Sequence, residues 1–122
     1  MLAVWVEIPV KNLERAATFY QALFQEPPVE IVDDGTRRTI TLFGGSADGK
    51  SGISLNQTAN FEPCDKGVLV YLDTGDDLTE HLSRVEPSGG KIVAGKASMG
   101  PAGWLATFID SEGNLLALYS VN

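Results

Sequence analysis

The stretch that decides the fold is Gly103 to Ser120, GWLATFIDSEGNLLALYS. Two short apolar runs flank the polar segment Asp110-Ser111-Glu112-Gly113-Asn114. Their residues suit a pleated, half-buried surface. Gly113 takes a positive φ without steric cost and Asn114 tolerates one, so the segment reads as a β-hairpin with a five-residue loop. In the second arm Leu116 and Leu118 point one way, and Ala117 and Tyr119 the other. One face seals a core and the other is left for function.

Working outward from this hairpin, strand and helix patterns alternate in an order that occurs twice. Val4 to Val10 alternates, with Val4, Val6, Ile8 and Val10 on one face and Trp5, Glu7 and Pro9 on the other. Asn12 is a good N-cap for a helix in which Leu13, Ala16, Ala17, Tyr20, Leu23 and Phe24 recur at helical spacing, ended by Pro27-Pro28. Strands are expected at Val29–Val32, Arg37–Phe43 and Ile53–Asn56, with a polar loop from Gly44 to Gly52 and a connector from Gln57 to Lys66. The second half offers a strand at Val68–Asp73, then a helix capped by Asp76-Asp77 with Leu78, Leu82 and Val85 as its apolar stripe. Pro87 to Gly90 stops that helix, Lys91–Val93 is a strand, and Gly95 to Ala102 is a loop; by composition Gly95 to Gly103 is a mobile segment that closes over a ligand with Met99, or a plain connector. Aligning Leu13 with Leu78 superimposes the halves with one extra residue near Gly75. The expected architecture is α+β: one domain over residues 1–122, built of two βαβββ modules at about 1–60 and 67–122. The modules bury their helices on one side of a curved mixed sheet and leave a concave cleft.

Composition narrows the partners. The net charge is −7, and Arg37-Arg38 is the only adjacent basic pair. A nucleic-acid or anionic membrane surface needs clustered positive charge, so neither is expected. No apolar run is long enough for a membrane span, the start MLAVWVEIPV has no basic region of a signal peptide, and Cys64 is the lone cysteine. These features lead to the expectation of a soluble, acidic, cytoplasmic domain.

The stretches VEIPVKNLERAATFYQALF (Val6–Phe24), LVYLDTGDDL (Leu69–Leu78), VEPSGGKIV (Val85–Val93) and FIDSEGNLLALYS (Phe108–Ser120) resemble the vicinal oxygen chelate superfamily, the group of glyoxalase I, the bleomycin-resistance proteins and the extradiol dioxygenases. The resemblance implies paired βαβββ modules around a cleft, and in relatives with one module pair per chain a homodimer whose cleft lies where two chains meet. It also implies four His or Glu metal ligands, whose positions fall here on Trp5, Ser54, Leu69 and Ala117. Tight sites need imidazole, thiolate or carboxylate donors, so no metal and no other cofactor is expected. His81, the only histidine, is expected to be solvated on the polar side of the second helix.

Glu7 is read as a general base or polar anchor beside Trp5, or as a solvated or partner-paired carboxylate. Asp73 shares a face with Leu69 and Tyr71, or simply begins the turn before the helix. Tyr71 and Tyr119 bound an aromatic pocket, or pack as ordinary sheet residues. Trp5 fills the space of a lost metal or stacks on a planar ligand; the facing of Trp104 stays open. Cys64 has no base near it and reads as structural. The expected function is metal-independent binding of a small apolar or aromatic molecule, with acidity favouring a cation; the alternative is a glyoxalase-like lyase or isomerase with Glu7 as base.

Overall fold

The computed structural model describes residues 1–43 and 46–122. The elements run β1 (Trp5–Pro9), α1 (Leu13–Phe24), β2 (Val32–Asp33), β3 (Arg38–Thr41), β4 (Gly52–Gln57), β5 (Tyr71–Asp73), α2 (Thr79–Val85), β6 (Lys91–Ser98), β7 (Trp104–Ile109) and β8 (Leu115–Ser120), with a 3₁₀ turn at Gly100–Ala102 before β7. The fold is the α+β, two-module βαβββ architecture read from the duplication.

Its sheet is divided in two. Module one forms the order β1-β4-β3-β2 and module two the order β5-β8-β7-β6, so the topologies are equivalent strand by strand. Each sheet is mixed: β1 runs parallel to β4 and β5 parallel to β8, and the other pairings are antiparallel. Glu7 stands opposite Ser54 as Tyr71 stands opposite Ala117, which fixes the correspondence between modules.

The hairpin is placed as expected, with Asp110 to Asn114 as the whole of its loop. Helix α1 starts where Asn12 caps it, the Asn12 carboxamide oxygen accepting from the Arg15 amide at 3.0 Å. It ends at Gln25, the only non-glycine residue with positive φ among the described residues. Leu13, Ala16, Phe19, Tyr20 and Leu23 are buried, and α1 touches both modules: the Phe19 ring lies 6.1 Å from Phe108 on β7. Helix α2 begins one residue later than its acidic start signal, but Asp77 still accepts from the Thr79 amide at 2.9 Å and the Thr79 hydroxyl at 2.6 Å. Ile8, Ile40 and Leu55 of the first sheet share one core with Leu72, Ala106, Phe108, Leu116 and Leu118 of the second. The helix-covered faces of both sheets therefore enter the same interior, and the open faces are its outer surfaces.

Several boundaries move. The strand expected at Val29–Val32 is Val32–Asp33, and the one at Val68–Asp73 shortens to Tyr71–Asp73. The largest change is β6, which continues through Ser98 where a loop was expected. Two register shifts, between Ile92 and Ala94 and between Ala94 and Ala97, break the alternation that would have revealed it. The expected polar loop from Gly44 to Gly52 falls partly on Gly44 and Gly45, outside the described residues; its end, Gly52, belongs to β4. His81 is half-buried rather than fully solvated: its ring centroid lies 5.2 Å from that of Phe24 where α2 packs on α1. Burial, with Arg84 nearby, lowers its pKa.

Candidate ligand surfaces and the seam between modules

The residues singled out in the sequence fall into two sets, one on each open sheet face. On module one Trp5, Glu7 and Ser54 come together. The Trp5 indole nitrogen donates to the Ser54 hydroxyl at 3.2 Å, and the buried Asn56 amide donates to the same oxygen at 2.9 Å. The Asn56 carboxamide oxygen is buried and has no partner among the described residues. Beside them Arg37 donates to both Glu7 carboxylate oxygens, at 3.0 and 3.3 Å. Thr39 and Thr41, opposite Asn56 and Ser54, complete a polar surface with one aromatic plate, Trp5, at 41% exposure.

Module two carries the same geometry with different chemistry. Tyr71 stands opposite Ala117, and Asp73 opposite Tyr119. Leu105, Thr107 and Ile109 on β7 share the face of Tyr119, Ala117 and Leu115 on β8. Leu69 lies half-buried just before β5. This face is mostly hydrocarbon. Its Tyr119 hydroxyl is already used, donating to the Ala102 carbonyl at 2.6 Å. The ring lies against Gly103, where a Cβ would stand 2.9 Å from Tyr119 and 2.5 Å from the Ser120 carbonyl, so only glycine fits. Trp104 shares the face of Ala106 and Phe108, on the covered side, with the Lys96 ammonium 5.1 Å from its ring centroid.

Asp73 does begin a turn: its carboxylate accepts from the Gly75 amide at 2.9 Å. It also lines, with Tyr71, a cavity of about 600 Å³ at the seam between modules, beside Phe24, Glu26, Ile53 and Leu72. A second cavity of about 530 Å³ lies at the far end of module one, lined by Lys11, Asp33, Arg37, Arg38 and the Phe61–Pro63 connector. The Cys64 amide donates to the Asn114 side chain at 3.1 Å, which supports a structural role for that connector.

The group that sequence reasoning left as a plain turn is a buried polar hub. Asp110, Glu112 and Asn114 are all buried. Asp110 accepts from the Tyr20 hydroxyl at 2.7 Å and from the amides of Glu112 and Asn114 at 2.8 and 2.9 Å. Glu112 accepts from the Lys11 and Asn12 amides, both at 2.9 Å, and from Arg15 at 2.7 Å. The Asn114 amide reaches the Pro9 carbonyl at 2.8 Å. Burial alone would raise the Glu112 pKa, but Arg15, the two backbone amides and Ser111 outweigh it and hold it below the usual value. Burial, with the Asp110 charge beside it, pushes the Tyr20 hydroxyl well above the usual phenol value. Two carboxylates with a glycine and an asparagine, set between apolar arms, were the available signal.

The family model of the Glyoxalase/Bleomycin resistance protein/Dioxygenase superfamily matches residues 3–118, and the chain belongs to that superfamily. No curated protein matches the sequence significantly. Among solved structures, glyoxalase I from Zea mays is similar at 22% identity and a TM-score of 0.75, over 96% of this chain and 45% of that one. A glyoxylase/bleomycin resistance protein/dioxygenase domain from Frankia sp. matches at 15% identity and a TM-score of 0.72, over 100% and 98% of the two chains. A glyoxalase/bleomycin resistance protein/dioxygenase family enzyme from Burkholderia phytofirmans matches at 18% identity and a TM-score of 0.68, over 98% of each. At these identities the likeness is one of fold.

The metal implied by the family resemblance does not fit these side chains. An indole N–H, a serine hydroxyl that already accepts two hydrogen bonds, a leucine and an alanine make no divalent-cation site. Among the described residues, no group of three or more His, Cys, Asp or Glu is placed to hold a metal ion.

Proposed function

We propose that the protein binds a small apolar or aromatic molecule without a metal, in the manner of the bleomycin-resistance type rather than the metal enzymes of the superfamily. The observation that supports this reading is the Trp5–Ser54 hydrogen bond, which joins an aromatic plate to a hydroxyl at two positions that the family resemblance assigns to metal ligands. The hydrocarbon of module two supplies the apolar wall. Trp5 and Tyr71 remain substantially exposed at 41% and 44%, surface that a ligand or a second chain would cover. In the proposed assembly, a cytoplasmic homodimer, the polar face of module one meets the apolar face of module two of the partner and encloses the ligand. The acidic charge disfavours nucleic acid and anionic membranes as partners. Among the described residues, no helix is long and apolar enough to cross a membrane.

The lyase or isomerase reading, with Glu7 as base, is the weaker one because Arg37 engages both carboxylate oxygens. Metal analysis joined to thermal-shift titrations with Zn²⁺, Ni²⁺, Mn²⁺ and Fe²⁺ tests the primary proposal. The expected outcome is no stoichiometric metal and no rise in Tm, since a ligand specific to the folded state must raise it. A stoichiometric metal with a clear shift would overturn the metal-free reading. Any turnover lost in Glu7→Gln would move the enzyme reading to first place.

A further inference from the structure

The cavity at the seam shares Tyr71 and Asp73 with the edge of the module-two open face and adjoins the Trp5 strand at Gly52, but Trp5, Glu7 and Ser54 do not line it. Its volume, about 600 Å³, is that of a site for a small organic molecule. Phe24 at the end of α1, Ile53 on β4, and Tyr71 and Leu72 on β5 supply an apolar and aromatic lining; among the described residues, Glu26 and Asp73 are its charged lining residues. Neither carboxylate forms an ion pair among the described residues, and one Asp73 oxygen is occupied by the Gly75 amide. Behind the lining His81 packs on Phe24, where burial lowers its pKa and so disfavours its charged form.

Duplication explains why the space is there. Pro9 of module one corresponds to Asp73 of module two, and the β7–β8 turn docks against Pro9 through Asn114. At the corresponding place beside Asp73, the β3–β4 connection contributes Ser46 and Ser51 to the cavity wall. Lys11 and Asn12, whose amides hold Glu112, correspond to Asp76 and Asp77. A carboxylate cannot dock favourably against that acidic start, and among the described residues no hydrogen bond joins Asp76 or Asp77 to the β3–β4 connection.

We infer that the seam cavity is a second binding site, for a small organic monocation with an aromatic or branched apolar body. The cationic head sits between Glu26 and Asp73, and the body lies against Phe24, Ile53, Tyr71 and Leu72. Aromatic faces attract a desolvated cation, and the two carboxylates select its sign. The inference does not depend on the ligand proposed for the open faces.

The test uses benzyltrimethylammonium, its neutral carbon isostere neopentylbenzene, and benzoate, titrated into the full chain labelled with ¹⁵N. The expected result is saturable amide shifts at Phe24, Ile53 and Leu72 with the cation, weaker ones with the isostere and none with benzoate. The double variant Glu26→Gln/Asp73→Asn, whose asparagine can keep the Gly75 turn, should bind the cation about tenfold more weakly with an unchanged melting profile. Shifts confined to Trp5, Ser54 and Thr107 would overturn this inference while supporting a ligand on the open faces. No saturable shift, equal binding of cation and isostere, or a folded double variant with undiminished affinity would overturn it as well.

Discussion

The two ends of the seam are related by the internal duplication and are built in opposite ways. At one end the Asp110–Asn114 turn binds the start of α1 through two backbone amides, Arg15 and the Tyr20 hydroxyl. At the other, the β3–β4 connection and β5 leave a cavity with two carboxylates on its wall. The topology is the same, and the helix starts decide the outcome. The amides of Lys11 and Asn12 donate to a carboxylate, whereas Asp76 and Asp77 repel one and α2 is capped from its own side. In Asp77 the Thr79 hydroxyl and amide, with Lys96 beyond them, hold the carboxyl down to about 2. A duplicated fold thus keeps one contact for stability and leaves its counterpart open for a ligand.

The sharpest way to break this contrast is Asp110→Ala. It strands the Tyr20 hydroxyl and two backbone amides inside the protein and removes one of the Asn114 carboxamide's hydrogen bonds. Each unsatisfied buried group costs roughly 1–3 kcal/mol, so a loss of about 3–5 kcal/mol is expected in urea unfolding, with both modules melting together. A loss under about 1 kcal/mol would show that the hub does not join the modules. Gly90→Ala strikes the same end sterically. Its Cβ would stand 2.6 Å from the Ile109 carbonyl and 2.8 Å from the Phe19 ring, and a Tm drop corresponding to about 2 kcal/mol is expected by calorimetry.

Acid should separate the ends more gently. The folded-state pKa of Glu112 lies below its ordinary value of 4.5, so its stabilisation is present above that pH and fades as pH falls through the folded pKa. Glu112→Gln keeps the shape and removes the titration. Unfolding measured from pH 6 downward should start about 1–2 kcal/mol lower and show a shallower acid limb than the wild type. An identical limb would remove Glu112 from the account. At the open end, Ile53→Phe adds volume towards the cavity and should change stability by no more than about 1 kcal/mol, while weakening benzyltrimethylammonium binding in the same sample. The smallest effect belongs to Arg37→Gln. The Glu7–Arg37 pair is half-exposed, with side chains 45% and 37% accessible, so a chemical-denaturation shift below about 1 kcal/mol is expected, shrinking in high salt.

What the sequence revealed follows from how local each signal is. The Asp110–Asn114 turn, the Asn12 cap and the order of elements rest on near neighbours and periodicity, and each stands where it was read. The length of β6 was hidden because two register shifts around Ala94 break the alternation. The environment of His81 depends on α1, nearly 60 residues away in the chain by simple subtraction from Phe24. The hub was the hardest part to read, since Glu112 and Asn12 are 100 positions apart and only the folded chain brings them together. Of the residues read as lining one cleft, Trp5, Glu7 and Ser54 share one sheet face, and Tyr71, Asp73, Ala117 and Tyr119 share another. That the two groups occupy separate outer faces follows from the shared core, which no pattern along one strand encodes.

The two tryptophans give the molecule a pair of built-in optical channels. Trp5 lies on the open face of one sheet, and Trp104 lies on the covered side of the other with the Lys96 ammonium over its ring. A cation held above an indole perturbs its emission, whereas Trp5 reports on water and on whatever molecule displaces it. With Trp5→Phe and Trp104→Phe each leaving a single emitter, the colour of the fluorescence change tells which sheet a ligand has approached, with no label attached.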